Sequence, residues 1–427
     1  MPGTAIAQAG NYALRVDTGY DVNSFQLDSD IKGLLNGVYP LGPTTDFADI
    51  TASATQINVR RGRRDQGDQF AAGTMSFTIN DVDGVFNPFD ENSPYYNTPE
   101  ALPGLAPLRA VELIRYDNSN NPEYLYRGRI VNYEYNFSLD GLDQVIVYCA
   151  DNFYLLSQTY MDELNVAVET SGERIETVLD LPEVDYPTGT ARNIDIGTVD
   201  LGHDAAYTVP AGTNVLSYLT QINQTAEFGR LFVSRAGVLT FTPRTGTTLS
   251  GSVADFHDDG TEIPYVGLGI TFEADQVTNR VLIENLGTAI ETAEDLASQA
   301  AFFIQTNSIT NSLLDDTELA AAATYLLDPY PEARYNSVET VFGALTNAQR
   351  DTVAVIDIND TISIEKQFVT GSSTMTLAQE LSVEGIEHTI TLNGHRVALF
   401  TSPTTIVYEL ILDDVLYGTI STENVLG

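Results

Sequence analysis

The sequence predicts a mainly β protein with an inserted α+β unit, and three observations carry that prediction. Apolar residues alternate with polar ones through the first third of the chain. Between residues 170 and 222 the spacing lengthens to that of helices. Beyond residue 276 alternation returns and includes an Asn-Gly turn. A period of two turns one face of a strand inward, whereas 3.6 marks a helix. At 427 residues the chain is too long for one compact core, so several domains are expected.

In the first block, Ile57 and Val59 precede Met75, Phe77 and Ile79, and Val111, Leu113, Val145 and Val147 keep the same period. Tyr124-Leu125-Tyr126 and the run from Tyr133 to Phe137 add aromatic strand formers. Asp81-Val82-Asp83-Gly84 and Asp140-Gly141 supply turns, and Asn87 to Pro107, with five prolines, reads as an ordered surface loop or subunit-contacting arm. Residues 1–152 are therefore expected to form an antiparallel barrel or sandwich.

Residues 153–275 read as a smaller α+β domain. Thr170 and Glu173 form a capping box before Ile175, Val178 and Leu179, and Pro182 ends that helix. A second helix is predicted from Thr213, carrying Val215, Leu216, Leu219 and Ile222, with Gly229 closing it. A hairpin follows over Leu231 to Ser234 and Val238 to Thr242.

Residues 276–398 read as a second β domain with a helix. Asn279 to Glu284 is a strand. Asp315-Asp316 is expected to cap a helix that turns Leu319, Ala323, Leu326 and Leu327 onto the outside of this domain. Val353 to Ile358 and Thr361 to Glu365 read as a hairpin, as do Ser382 to Leu392 and Arg396 to Leu399 around Asn393-Gly394. Residues 399–427 form a C-terminal extension, with a short strand pair at Ile406 to Leu412 and Tyr417 to Ile420. No internal repeat is legible.

Composition narrows the function. Fifty-nine Asp and Glu face twenty Lys and Arg, a net charge of −39, and only Lys32 and Lys366 are lysines. Such a surface repels phosphate, which argues against nucleic-acid binding as the main role. One cysteine, Cys149, excludes an internal disulfide framework. No export signal is visible at the start, and no apolar run is long enough for a membrane-spanning helix.

Catalytic and metal templates fail in turn. His203, His257, His388 and His395 never fall in a ligand spacing such as H-E-x-x-H. His388 and His395 flank the Asn-Gly hairpin and read as surface or strand-pair histidines. Cys149 lies in a strand-like run and reads as a buried thiol. Asp81-Val82-Asp83-Gly84, Asp258-Asp259-Gly260 and Asp413-Asp414 read as turns. No catalytic residue, cofactor site or metal site is therefore assigned, and the chain is expected not to be an enzyme. One basic island remains: Arg60-Arg61-Gly62-Arg63-Arg64. A DNA contact, a solvated strand end and an ion-pairing contact with an acidic neighbouring subunit compete for it. Arginine's planar fork favours the last.

The stretch containing this island resembles the minor tail proteins of long-tailed phages, specifically the tail-tip or baseplate hub family. The likeness begins at Asn58-Val59-Arg60-Arg61-Gly62-Arg63. It continues through Phe70 to Thr74, Ile79 to Pro88, Ser93-Pro94-Tyr95, Pro107-Leu108-Arg109 and Tyr126-Arg127-Gly128-Arg129-Ile130. Later it includes Phe228 to Val233 with Gly237, Ala322 to Arg334 with Asp328-Pro329, and Val383-Glu384-Gly385-Ile386-Glu387-His388, ending at Tyr417-Gly418. Arg230 departs from the pattern, standing where small residues are usual.

The resemblance implies two tail-tube-like antiparallel β-barrel domains in each chain, with three chains forming a pseudo-sixfold ring at the virion's tail tip. The implied partners are further copies in a homotrimer, distal tail or tube ring proteins, other tip and fibre proteins and a tape measure protein. Genomic DNA would pass through without specific binding, and nothing would insert into a membrane. A distal tail ring or receptor-contacting protein is the alternative, and a wall- or sugar-cleaving enzyme a third reading.

Overall fold

A computed structural model describes residues 11–18, 47–64, 69–97, 102–139, 143–202, 207–244, 251–287, 289–371 and 373–403, with short strands Tyr408–Glu409 and Asn424–Val425. Lys32, His203, Asp140-Gly141, Asp413-Asp414 and most of the expected final strand pair lie outside the described residues.

Thirteen strands join in one sheet. Across it run Phe47–Asp49, Tyr12–Asp17, Ala110–Tyr116, Pro122–Asn136, Asp143–Ala150, Ala71–Asp81, Ala54–Gly62, Ser373–Thr391, Gly394–Pro403, Arg334–Val341 and Gly267–Thr271. Thr361–Thr370 also pairs with Ser373–Thr391, and Ala254–His257 adds to it as the sheet's one parallel pair. The expected period-two positions face inward: Ile57, Val59, Met75, Phe77, Ile79, Val145 and Val147 are all buried.

The expected two barrels are not found; among the described residues no barrel closes. The reason lies at one seam. Ala54–Gly62 pairs with Ala71–Asp81 of its own block along one edge, but along the other it pairs with Gly385 to Thr391 of the last third, in the register Gly385↔Gly62 to Thr391↔Gln56. Each block thereby extends the other's sheet.

The two halves of the sheet repeat one another. In the first, the spatial order is Ala110–Tyr116, Pro122–Asn136, Asp143–Ala150, Ala71–Asp81, Ala54–Gly62. In the second it is Thr361–Thr370, Ser373–Thr391, Gly394–Pro403, Arg334–Val341, Gly267–Thr271. Chain order, spatial order and antiparallel sense all match. The match extends to single bonds. Leu108 N–H donates to Ile130 O at 2.7 Å and Ile130 N–H to Arg109 O at 2.9 Å. Asn359 N–H donates to Val383 O, and Val383 N–H to Asp360 O, both at 2.8 Å. Leu108 and Asn359 both have positive φ, 67° and 77°. Both long strands then carry a bulge at the next residue against their hairpin partner. Ile130 thus corresponds to Val383, and Val131 to Glu384.

Two hydrophobic cores result, and they divide the chain differently from the boundaries expected at 152, 275 and 398. The sheet core gathers Leu14, Ile57, Phe77, Val111 and Val147 with Phe256, Ile362, Val383, Ile386 and Leu399. The second core gathers Phe153, Ile175, Leu179, Leu219, Ile222 and Phe241 with Val281, Ile283, Leu319 and Ala323. Residues near 280–327 therefore belong with the insert, and the helix Leu319–Tyr325 packs there instead of on a second barrel.

Local differences have local causes. The capping box at Thr170 and Glu173 opens the helix Ser171–Leu179 as expected. A second box, Thr346 with Gln349, opens the helix Asn347–Val355, where a strand was predicted. Its β-branched end mimics a strand, but Val353 and Ala354 are buried as a helical face. The helix Val215–Ile222 runs into a wider turn closed by Phe228 in the left-handed region, not by Gly229. Asp315 and Asp316 do not cap: Asp315 accepts from Thr317, and Asp316 from Asn285.

The seam requires a glycine. Gly62 has φ +79°, and a Cβ there would lie 2.1 Å from Glu384 O. Gly62→Ala is expected to destabilise the chain by about 1–3 kcal/mol, the usual cost of such strain, read as a lower urea midpoint with an unchanged m-value.

Candidate functional site

The arginine island and the Val383 to His388 segment lie on opposite sides of this seam. Glu384 is the extra residue of the bulge, between Val383↔Thr401 and Gly385↔Phe400. A bulge re-aims a side chain, and here it aims a carboxylate at the junction of the sheet with the insert. Glu384 is buried and accepts from Arg63 Nε at 2.9 Å, Arg230 Nε at 3.0 Å, Arg230 Nη2 at 2.8 Å and Ser402 Oγ at 2.6 Å. Burial pushes its pKa up, but the charges of Arg230 and Arg63 and these hydrogen bonds outweigh burial and hold it below the usual value. Arg63 also lies over the Phe70 ring, 4.5 Å from its centre.

Arg61 is buried and bonds Asp357 Oδ1 through Nη1 at 2.5 Å, while Asp357 Oδ2 accepts from Arg235 N–H at 2.9 Å. Arg235 continues the chain of contacts to Glu123 Oε2 and Tyr124 O, both at 2.9 Å. Arg60 and Arg64 share Glu387 at 3.5 and 2.7 Å and remain about half exposed, at 55% and 51%. The four arginines therefore do meet carboxylates, but those carboxylates belong to the same chain. Arg61 and Arg63 are thus already paired within the chain, with little side-chain exposure.

Sequence reasoning missed Glu384, Asp357 and Asp151 as members of this site and passed over Arg230. The departure at Arg230 is the third leg of the Glu384 cluster. Its signal was a lone basic residue in a base-poor chain, separated from its partner by 154 residues.

Beneath the seam, Asp151 caps the helix Asn152–Gln158 through Phe153 N–H at 2.9 Å and accepts Gly73 N–H at 2.6 Å. Burial raises its pKa to about 7 against the lowering effects of those two bonds and Arg61. His388 and His395 are buried, not surface residues. Tyr12 Oη lies 2.7 Å from His395 Nδ1, and His395 Nε2 lies 3.0 Å from His388 Nδ1. Desolvation, then the charge of Arg61, lowers His388 to about 3. Desolvation, His388 and Arg115 lower His395 strongly too. Both rings are neutral at pH 7 and act as a buried hydrogen-bonding chain. The Glu384 cluster ties both halves of the sheet to the insert.

The fold is one that solved phage tail proteins also have. It is similar over 93% of its length to the tail protein from Neisseria meningitidis MC58, with a TM-score of 0.57, 13% identity and 98% of that chain covered. It is also similar to the prophage MuSo2 43 kDa tail protein from Shewanella oneidensis, with a TM-score of 0.53 and 11% identity, covering 92% of this chain and 97% of that one. At these identities the likeness is one of fold. No family model matches the chain, and no curated protein matches it.

Glu384→Gln leaves two partly buried guanidinium groups without their anion. It is expected to cost about 3–5 kcal/mol, against about 1 kcal/mol or less for the more exposed Glu387→Gln, both read by chemical denaturation. Asp151 supplies a pH test. Its folded pKa of about 7 lies above the ordinary aspartate value of 3.8, so its contribution is fully present below about pH 4 and is lost as pH rises through 7. The stability advantage of wild type over Asp151→Asn should therefore shrink from pH 4 to pH 8; a constant difference would contradict this placement.

Proposed function

We propose that the chain is a structural subunit of a phage tail, the tail-tip or baseplate hub, working by assembly and not by catalysis. The observation that carries this reading is the duplicated strand order within a tail-protein fold. A tail tube with sixfold symmetry and a threefold tip can be joined by three chains that each contribute two equivalent units.

The internal seam supplies the template for the joints between chains. Gly267–Thr271 corresponds to Ala54–Gly62, and among the described residues only Arg334–Val341 pairs with it. Residues 131–136 correspond to 384–389. On the edge where Gly385 to Thr391 receives Ala54–Gly62, they have no strand partner among the described residues. The two unpaired edges are complementary in kind, so each copy can pass its 267–271 strand to the next copy's 131–136. Three repetitions close a ring and cover edges that would otherwise invite aggregation.

Arg60 and Arg64, half exposed beside Glu387, are then available for an acidic ring or fibre protein, whereas Arg61 and Arg63 stabilise the subunit itself. Surplus carboxylates facing the lumen would keep DNA from sticking, within the screening distance of about 8 Å at physiological salt.

Strand equivalence places Ile270 opposite Glu134, as Arg60 stands opposite Glu387. Cysteines at those two positions, Ile270→Cys with Glu134→Cys, should cross-link separate copies, since facing Cα atoms of antiparallel strands suit a disulfide. The expected non-reducing gel shows dimers and a closed trimer, with three-lobed rings in negative stain. A closed hexamer would support the distal-ring alternative, and a chain that stays monomeric under oxidation would overturn the assembly.

A further inference from the structure

We propose a divalent transition-metal site at the outer parallel strand of the sheet, formed by His257, Asp259 and Glu365. One ligand atom from each side chain lies within 4.8 Å of the other two. A metal about 2.1 Å from nitrogen and oxygen donors holds them roughly 3–4 Å apart, so a small side-chain adjustment closes the site.

The backbone brings the three together from 108 residues apart. His257 stands directly opposite Glu365 in the parallel pair of Ala254–His257 with Thr361–Thr370. The chain then turns over Asp258, Asp259 and Gly260, the last with φ +83°, and Asp259 comes back towards the ring. Asp259 Oδ1 already accepts Thr261 N–H at 2.9 Å and Thr261 Oγ1–H at 2.6 Å, which leaves Oδ2 for a cation.

Charge gives a separate reason. The nearby lysine, Lys366, is committed to Asp258. Asp259 and Glu365 form no ion pair with lysine or arginine among the described residues; Asp259 has only His257, at 3.9 Å. Two carboxylates brought together without a fixed cation form a favourable place for a mobile one. The imidazole decides its kind. Calcium and magnesium prefer all-oxygen shells, whereas one nitrogen and two carboxylates suit zinc, manganese or iron(II). Partial exposure of all three residues leaves open positions for water.

The test uses the full chain without an affinity tag, stripped with EDTA and titrated with zinc chloride or manganese chloride by calorimetry. Bound metal is counted after desalting. One ion per chain is expected, with affinity reduced at least about tenfold in His257→Ala and Glu365→Gln, since even outer-shell changes commonly cost that much. Glu294→Gln, whose carboxylate pairs with Arg280 in a separate sheet, should bind like wild type. Asp259→Asn, in an exposed turn, should weaken binding without unfolding the chain, checked by circular dichroism. Failure to retain a stoichiometric ion, or equal binding by the three ligand variants and wild type, would overturn the site.

Discussion

Everything in this molecule hangs on a buried carboxylate held between two arginines. Taking Glu384 out of water is costly, and only well-placed countercharges and hydrogen bonds repay it. Arg63 comes from the first block, Arg230 from the insert and Ser402 from the last block. Because removing any one of them leaves a charge or a donor stranded, the three regions cannot move apart independently. The backbone reinforces this: Gly62 and Gly385 have no room for a Cβ, so the strands approach closely enough for Arg63 N–H to bond Glu384 O at 2.9 Å.

The second constraint is duplication with divergence. The two halves share strand order, a pair of positive-φ turns and a bulge, yet Val131 stands where Glu384 stands in the other half. A repeat defined by backbone hydrogen bonds survives the loss of every matching side chain, because the ladder needs only N–H and C=O groups. The sequence accordingly shows no repeat while the topology shows one.

That asymmetry marks what could be read in advance. Strands with a wet face, such as Met75 to Ile79, declared themselves by alternation, and the capping box at Thr170 declared its helix. Val353 to Ile358 misled because β-branched residues at a helix end imitate a strand, although Thr346 and Gln349 already carried the opposite signal. The arginine island was visible as chemistry, but its partners were not. Asp357 and Glu384 lie about three hundred residues away, and nothing local distinguishes them among fifty-nine acids. His257 and Glu365 were hidden in the same way, since ligand spacing in sequence registers only sites built within one element.

The difference between the halves also bears on how the proposed ring is built. The seam inside the chain is lined by charge: Arg60, Arg61, Arg63, Glu384 and Glu387. The edges proposed to meet between copies carry no such cluster among the described residues, and the 267–271 edge is apolar instead. Val266, Ile270 and Phe272 are exposed along one edge; on the other, Tyr133 and Tyr135 pack against the sheet core and stack with the exposed Phe137, ring centres 6.1 Å apart, while Glu134 faces solvent. A seam formed during folding of one chain can use buried ion pairs, because covalent connection holds the partners near each other while they desolvate. A joint between separate chains must gain its free energy on encounter, and burial of apolar surface supplies that without needing every charge matched. In the proposed ring one ladder geometry would serve both joints, with ion pairs fixing register within the subunit and burial of the Val266, Ile270 and Phe272 edge contributing to association between subunits.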